Sequence, residues 1–112
     1  MGRNQAVVFY GQTRAGLLTK KKDGYEFTYD RDYMADPDAM PISLSMPLRE
    51  EKYESKDLFS FFDDLLPEGW LLDLTCSIAK IDKNDKFRLL LQTGQDPVGA
   101  VSVRPLEESH GG

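Results

Sequence analysis

Hydrophobic and polar positions alternate through the first thirty residues. Ala6-Val7-Val8-Phe9-Tyr10 is β-branched and aromatic, Gly11-Gln12-Thr13 has turn chemistry, and Ala15-Gly16-Leu17-Leu18-Thr19 resumes the strand pattern. After Asp23-Gly24, the aromatics Tyr25, Phe27 and Tyr29 alternate with Glu26 and Thr28. Period two places alternate residues on opposite faces, so the pattern predicts a three-stranded meander with its aromatics on one face and its polar residues on the other. Lys20-Lys21-Lys22 before Asp23-Gly24 reads as the polar tip of a hairpin. Asp30 to Met40 is rich in Asp and Pro and reads as a connection made of turns or a short irregular helix. Pro41 to Leu48 then alternates Ile42, Leu44, Met46 and Leu48 against Ser43 and Ser45, which predicts a short edge strand bounded by prolines.

The period changes at Asp57. Leu58, Phe61, Phe62 and Leu65 stand at i, i+3, i+4 and i+7, the buried face of a helix over 57–66, with Ser55 or Asp57 as its cap and Pro67 as its end. A second helix carries Leu71, Leu74, Ile78 and Ile81 on one stripe, with Thr75 and Ala79 inside it, expected to be its core face, and Trp70 on the stripe's edge. Asn84-Asp85 caps a third helix through Phe87, Leu90 and Leu91, which Gly94 ends. Val98 to Val103 is a closing strand. The expected fold is α+β: a small antiparallel sheet or partly closed barrel of about five strands, with three helices packed on one side. Residues 1–105 form one domain in this reading, and 106–112 a polar tail.

Composition narrows the functions. The chain has 112 residues, 40% of them hydrophobic, enough for one core. No apolar run is long enough for a membrane span and no signal-peptide core stands at the N-terminus, so a cytoplasmic protein without membrane contact is expected. The formal charge of -5 is uneven: Arg49 to Asp73 holds eight acidic residues against three basic ones, and the remainder balances. Phosphate neutralisation needs the opposite excess, which argues against direct DNA binding. With one Cys and one His, in a tail beside two glycines, neither a zinc module nor a nucleophile–His pair can be assembled. Asp63, Asp64 and Glu68 could in principle form an acid/base pair or cation site, but adjacent helical residues diverge by about 100°, so a solvated face is the plainer reading. The glycines make no phosphate loop. Cys76 reads as a small filler in its helix. Trp70 is either a rim residue of the core or an exposed anchor for a partner. The residues alone describe a non-enzymatic interaction module needing no cofactor or metal. A single-strand nucleic-acid binder using Tyr25, Phe27 and Tyr29 as a stacking platform is the alternative.

Several elements taken together are similar to a known family. Gly11 with Gly16-Leu17, Phe27-Thr28-Tyr29, the run from Pro41 to Leu48, Phe61-Phe62-Asp63-Asp64-Leu65-Leu66-Pro67-Glu68-Gly69, and Gly94 to Val101 resemble the N-terminal subdomain of HipA-type toxin kinases over residues 5 to 105. Asp64, where that family usually has Asn, and Pro97, where a small residue is common, depart from it. No kinase motif is present in these residues. A separate copy of the subdomain resembles the HipS family, the small antitoxin components of three-part HipBST systems. That resemblance implies binding and neutralisation of a HipT-like Ser/Thr kinase, a HipB-like helix-turn-helix protein in the same complex, and operator DNA reached only through HipB. HipA-type kinases phosphorylate aminoacyl-tRNA synthetases, so restraint of growth arrest is the implied output. The expected docking face is the Leu66-Pro67-Glu68-Gly69-Trp70 turn, with Trp70 as apolar anchor and Asp63, Asp64, Glu68 and Asp73 meeting cations on the kinase.

Overall fold

The computed structural model describes residues 4–94 and 100–106; Pro97, Val98, Gly99 and the tail with His110 lie outside the described residues. The chain forms β1 (Gln5–Tyr10), β2 (Thr13–Lys21), β3 (Gly24–Tyr29), α1 (Arg31–Ala35), β4 (Tyr53–Ser55), α2 (Ser60–Asp63), α3 (Gly69–Ala79), α4 (Lys86–Thr93) and β5 (Val101–Pro105). The strands make one open sheet in the order β4-β3-β2-β1-β5, with every neighbouring pair antiparallel. The architecture is α+β, with an open sheet rather than a barrel.

The meander follows the alternation. Gly11 adopts φ +62° in a two-residue turn between Tyr10 and Thr13, a conformation that glycine enters without a Cβ penalty. The register sets Ala6 opposite Leu18 and Leu18 opposite Phe27, while Val8 and Tyr29 both pair with Gly16. These side chains therefore share one face, and all but the glycine belong to the main core, with Val101 and Val103 of β5. Gly16 is required by packing: a Cβ there would lie 2.7 Å from the Phe27 ring and clash with the Thr28 carbonyl. Between Val8 and Phe9 the register shifts, leaving Ala15 as the extra residue of a bulge.

β4 and β5 are opposite edges, so the chain crosses the sheet to connect them. Its helices cover the apolar face on the way: Phe62 from α2 and Phe87, Leu90 and Leu91 from α4 join the core. Asp85 caps α4 as expected, its side chain accepting from the Arg88 N–H at 3.2 Å. The Gly94 N–H closes the other end on the Leu90 carbonyl, and Gly94 in turn accepts from Val103 of β5 at 2.9 Å.

Four expectations are corrected. Residues 41–48 form no strand; Ser43 and Met46 make an isolated bridge, and a tight turn buries Ile42 and Met46 while Leu44 at its apex is 98% exposed. The Tyr29 hydroxyl pins both ends of that turn, accepting from the Ile42 N–H at 3.0 Å and donating to the Met46 carbonyl. The fourth strand is instead Tyr53–Ser55. The helix over 57–66 shortens to Ser60–Asp63 with Phe59 at its N-cap, so neither Ser55 nor Asp57 caps it. Asp30 to Met40, expected as turns or a short irregular helix, holds the short helix α1, so the described residues contain four helices where three were expected. The second helix ends at Ala79, because Lys80 takes a left-handed conformation and the Ile81 N–H turns back to the Cys76 carbonyl.

Candidate partner-binding surface

α3 is packed differently from the rest of the domain. Its inward residue Cys76 is buried with Ile81 and with Leu89 of α4, and Leu66, Leu72 and Ala79 close around this small cluster. At 100° per residue, Leu72, Cys76 and Ala79 fall within about 60° of the helix circumference. Trp70, Leu71, Leu74 and Ile78 fall within about 100° on the opposite side. The structure exposes all four: Trp70 by 76%, Ile78 by 74%, Leu71 by 47% and Leu74 by 45%. The stripe expected to be core is thus the outer face of α3, apart from Ala79 and Ile81, which turn inward, and Trp70 belongs to the outer face rather than to a core rim. Exposed apolar residues scattered singly are ordinary; four on one helical face make a contiguous patch of the kind that marks an interaction surface.

The entry to α3 fixes where the patch stands. Gly69 has φ +57° with open space where its Cβ would be, so the backbone conformation, and not packing, favours glycine there. Glu68 is the N-cap residue, extended and exposed, with no side-chain cap hydrogen bond. Leu66 packs against both core clusters and serves as an internal pin, not as part of a free surface.

The carboxylates divide into two groups. Asp63 holds Lys86 at 2.9 Å, tying α2 to α4, and Asp73 holds Lys83. Hydrogen bonding and charge from these carboxylates raise the pKa of each lysine above the ordinary value. Both pairs are exposed, and such pairs contribute little to stability. Asp64 and Glu68 are exposed and hold no cation among the described residues, so they are the carboxylates left for a partner. No group of three His, Cys, Asp or Glu that could hold a metal ion occurs among the described residues.

The other candidate surfaces resolve plainly. Phe27 and Tyr29 are 0% and 2% exposed, and Tyr25 packs toward Phe87 with ring centroids 6.4 Å apart. The three aromatics face inward and form no stacking platform. Lys20 and Lys21 end β2 and Lys22 lies in the hairpin turn, with Lys21 paired to Glu26 at 3.0 Å. Among the described residues, no helix is long and apolar enough to cross a membrane.

Sequence reasoning singled out Trp70, Glu68, Gly69 and Asp64, all of them exposed, but assigned Leu71, Leu74 and Ile78 to the core. The available signal was the second apolar stripe, Leu72, Cys76 and Ala79, which packs around Ile81 and Leu89.

Comparison with known proteins agrees with this fold. A 102-residue match to an uncharacterised protein of Haemophilus influenzae (strain ATCC 51907 / DSM 11121 / KW20 / Rd) is 37% identical and covers 91% of this chain and 92% of that one. A match to a protein of Sinorhizobium fredii (strain NBRC 101917 / NGR234) named "Putative kinase Y4mE" is 29% identical and covers 83% of this chain but 22% of that one. The chain thus spans about a fifth of that relative's length. A solved chain described as the N-terminal domain of HipA toxin aligns with TM-score 0.71 and 30% identity, covering 95% of each chain. Residues 6–104 match the family model of the HipA N-terminal domain, and the chain belongs to that family.

Proposed function

We propose that this chain is an antitoxin of the HipS type, which binds a HipA-like Ser/Thr kinase of the HipT type and holds it inactive by direct contact, within a complex that includes a HipB-like DNA-binding protein. The observation that carries the reading is the outer face of α3, with Trp70, Leu71, Leu74 and Ile78 exposed, Glu68 at the helix N-cap, and neither Glu68 nor the exposed Asp64 holding a cation among the described residues. Two relatives support it. In the Sinorhizobium fredii protein the domain is a small part of a longer chain bearing a kinase name, so surfaces open here have a kinase body to pack against there. In Haemophilus influenzae the matching chain is little longer than the domain itself, so a copy of this kind occurs apart from a kinase body. A domain that docks in cis in one protein can dock in trans in another through the same face. Trp70 supplies the desolvated anchor, and Asp64 and Glu68 steer Lys or Arg on the kinase. The domain itself is not an enzyme in this reading, its working compartment is the cytoplasm, and it reaches operator DNA only through the HipB-like protein.

Co-expression with the cognate HipA-like kinase tests the proposal. Growth rescue together with co-purification is expected. Arrested growth with no complex would leave the family assignment standing and remove the antitoxin role.

A further inference from the structure

The outer face of α3 is complementary to itself. Trp70, Leu74 and Ile78 stand at i, i+4 and i+8, a single ridge along the helix. The ends of that ridge are its most exposed members, Trp70 at 76% and Ile78 at 74%, with Leu74 at 45% between them. The charges share the same centre. Glu68 precedes Leu74 by six residues and Lys80 follows it by six, so each lies about 9 Å along the axis from Leu74. Both are exposed, Glu68 as the N-cap and Lys80 as the C-cap of the helix. Neither holds an opposite charge among the described residues, and the neighbouring Asp73 and Lys83 are paired with each other.

A second α3 laid antiparallel on this face, with a two-fold axis through Leu74, meets opposite charge at both ends. In that register Leu74 faces the partner's Leu74 and Trp70 faces the partner's Ile78. Leu71 faces the small, exposed Ser77 of the other copy, and Glu68 faces its Lys80. A parallel helix would set Glu68 against Glu68 and Lys80 against Lys80, so the charges fix the direction as well as the register.

We infer that, when no kinase is bound, a second copy of this chain covers the outer face of α3 in an antiparallel, two-fold symmetric pairing centred on Leu74, and that the kinase must displace that copy. Two-fold pairing through one shared patch is the commonest closed arrangement of identical chains, and it stops at two because each patch is occupied by the other. α3 has 11 residues and is about 16 Å long, so the interface is small and the pair should dissociate on dilution. The pairing stands on α3 alone, whereas the displacement rests on the kinase-binding reading above.

The test is sedimentation equilibrium of the purified protein from micromolar to near-millimolar concentration. The average mass should rise from that of one chain to that of two. Glu68→Lys and Lys80→Glu should each weaken the association about tenfold, because two exposed charge contacts become repulsive. Mixing these two variants restores opposite charge at both ends, so the mixture should pair with parental affinity, which also shows that both are folded. Leu74→Asp, which sets two carboxylates on the axis, should abolish pairing. Cognate HipA-like kinase added to a tagged copy holding an untagged one should release the untagged copy. A mass of one chain at every concentration, or a dimer that all these variants leave unchanged, would overturn the pairing and leave the antitoxin reading standing. An untagged copy retained beside bound kinase would overturn the displacement. Intact dimers with no kinase bound would remove the antitoxin reading and the displacement, and leave the pairing.

Discussion

Replacing Tyr29 by Phe removes one oxygen atom and leaves the ring where it is, which isolates the contribution of a single buried hydroxyl. That hydroxyl accepts from the Ile42 N–H and donates to the Met46 carbonyl, and Tyr29, Ile42 and Met46 are all buried. In Tyr29→Phe two backbone groups lose their partner where water has little access. Each lost bond costs about 1 kcal/mol net, and stranding the groups adds to this, so a loss of about 2–4 kcal/mol is expected. At roughly 4 °C per kcal/mol for a domain of this size, Tm falls by about 8–16 °C. The same hydroxyl has a signature at high pH. Burial pushes the Tyr29 pKa up to about 12 from an ordinary value of 10, against a smaller lowering by the Ile42 hydrogen bond. The folded state then keeps its proton after the unfolded chain has begun to lose it, so stability falls as pH rises above 10 and continues to fall until 12. At pH 11 this amounts to a loss of about 1 kcal/mol in the parent protein. Tyr33 and Tyr25, also raised by burial, add a smaller alkaline slope that the variant retains. Urea unfolding followed by far-UV circular dichroism at pH 7.5 and pH 11 measures both effects. A Tyr29→Phe protein within about 0.5 kcal/mol of the parent at pH 7.5, with the same drop to pH 11, would refute the assignment of this hydroxyl as the fastener of the 42–46 turn.

Two further substitutions test the framework. Gly16→Ala places a methyl group against the Thr28 carbonyl and the Phe27 ring, and should destabilise the domain by about 1–3 kcal/mol in thermal or urea unfolding. Asp85→Ala removes the cap of α4 and should cost about 1 kcal/mol, while Asp85→Asn, which keeps an acceptor for the Arg88 N–H, should recover most of it.

The sequence made some elements legible because one physical signal dominated each of them. β1 to β3 combine alternation with turn residues, and α4 has a capping aspartate, a clear apolar face and a terminal glycine, so local and tertiary preferences agree there. Residues 41–48 also alternate, but the spacing that puts Ile42 and Met46 on one face of a strand also puts them at the two ends of a turn. What decides between the two is Tyr29, remote in sequence, and no local pattern reports it. The helix over 57–66 is cut short for a related reason: Leu58 and Leu65 pack inward from irregular backbone around one helical turn. α3 is the instructive case. Its apolar residues occupy two opposite faces, so periodicity identifies two stripes without saying which is covered. In the structure Cys76 is buried with Ile81 and Leu89, and Leu72 and Ala79 pack against them, which leaves the other stripe outside. Of the residues expected at a docking face, Trp70, Glu68, Gly69 and Asp64 are exposed, whereas Leu66 is partly buried against both core clusters and Asp63 and Asp73 already hold lysines.

The central claim is that the outer face of α3 holds a HipA-like kinase inactive, and phosphoryl transfer by the purified cognate kinase, titrated with this protein and with Trp70→Ala, tests it most directly. Because Trp70 is 76% exposed, the substitution should leave Tm within about 2 °C of the parent. The account predicts that the parent protein suppresses kinase activity in a stable complex, and that Trp70→Ala needs about 100-fold higher concentration for the same effect, the loss of about 2.7 kcal/mol expected of a central aromatic anchor. A kinase that keeps full activity at saturating parent protein, or is suppressed equally by the folded Trp70→Ala variant, would contradict it.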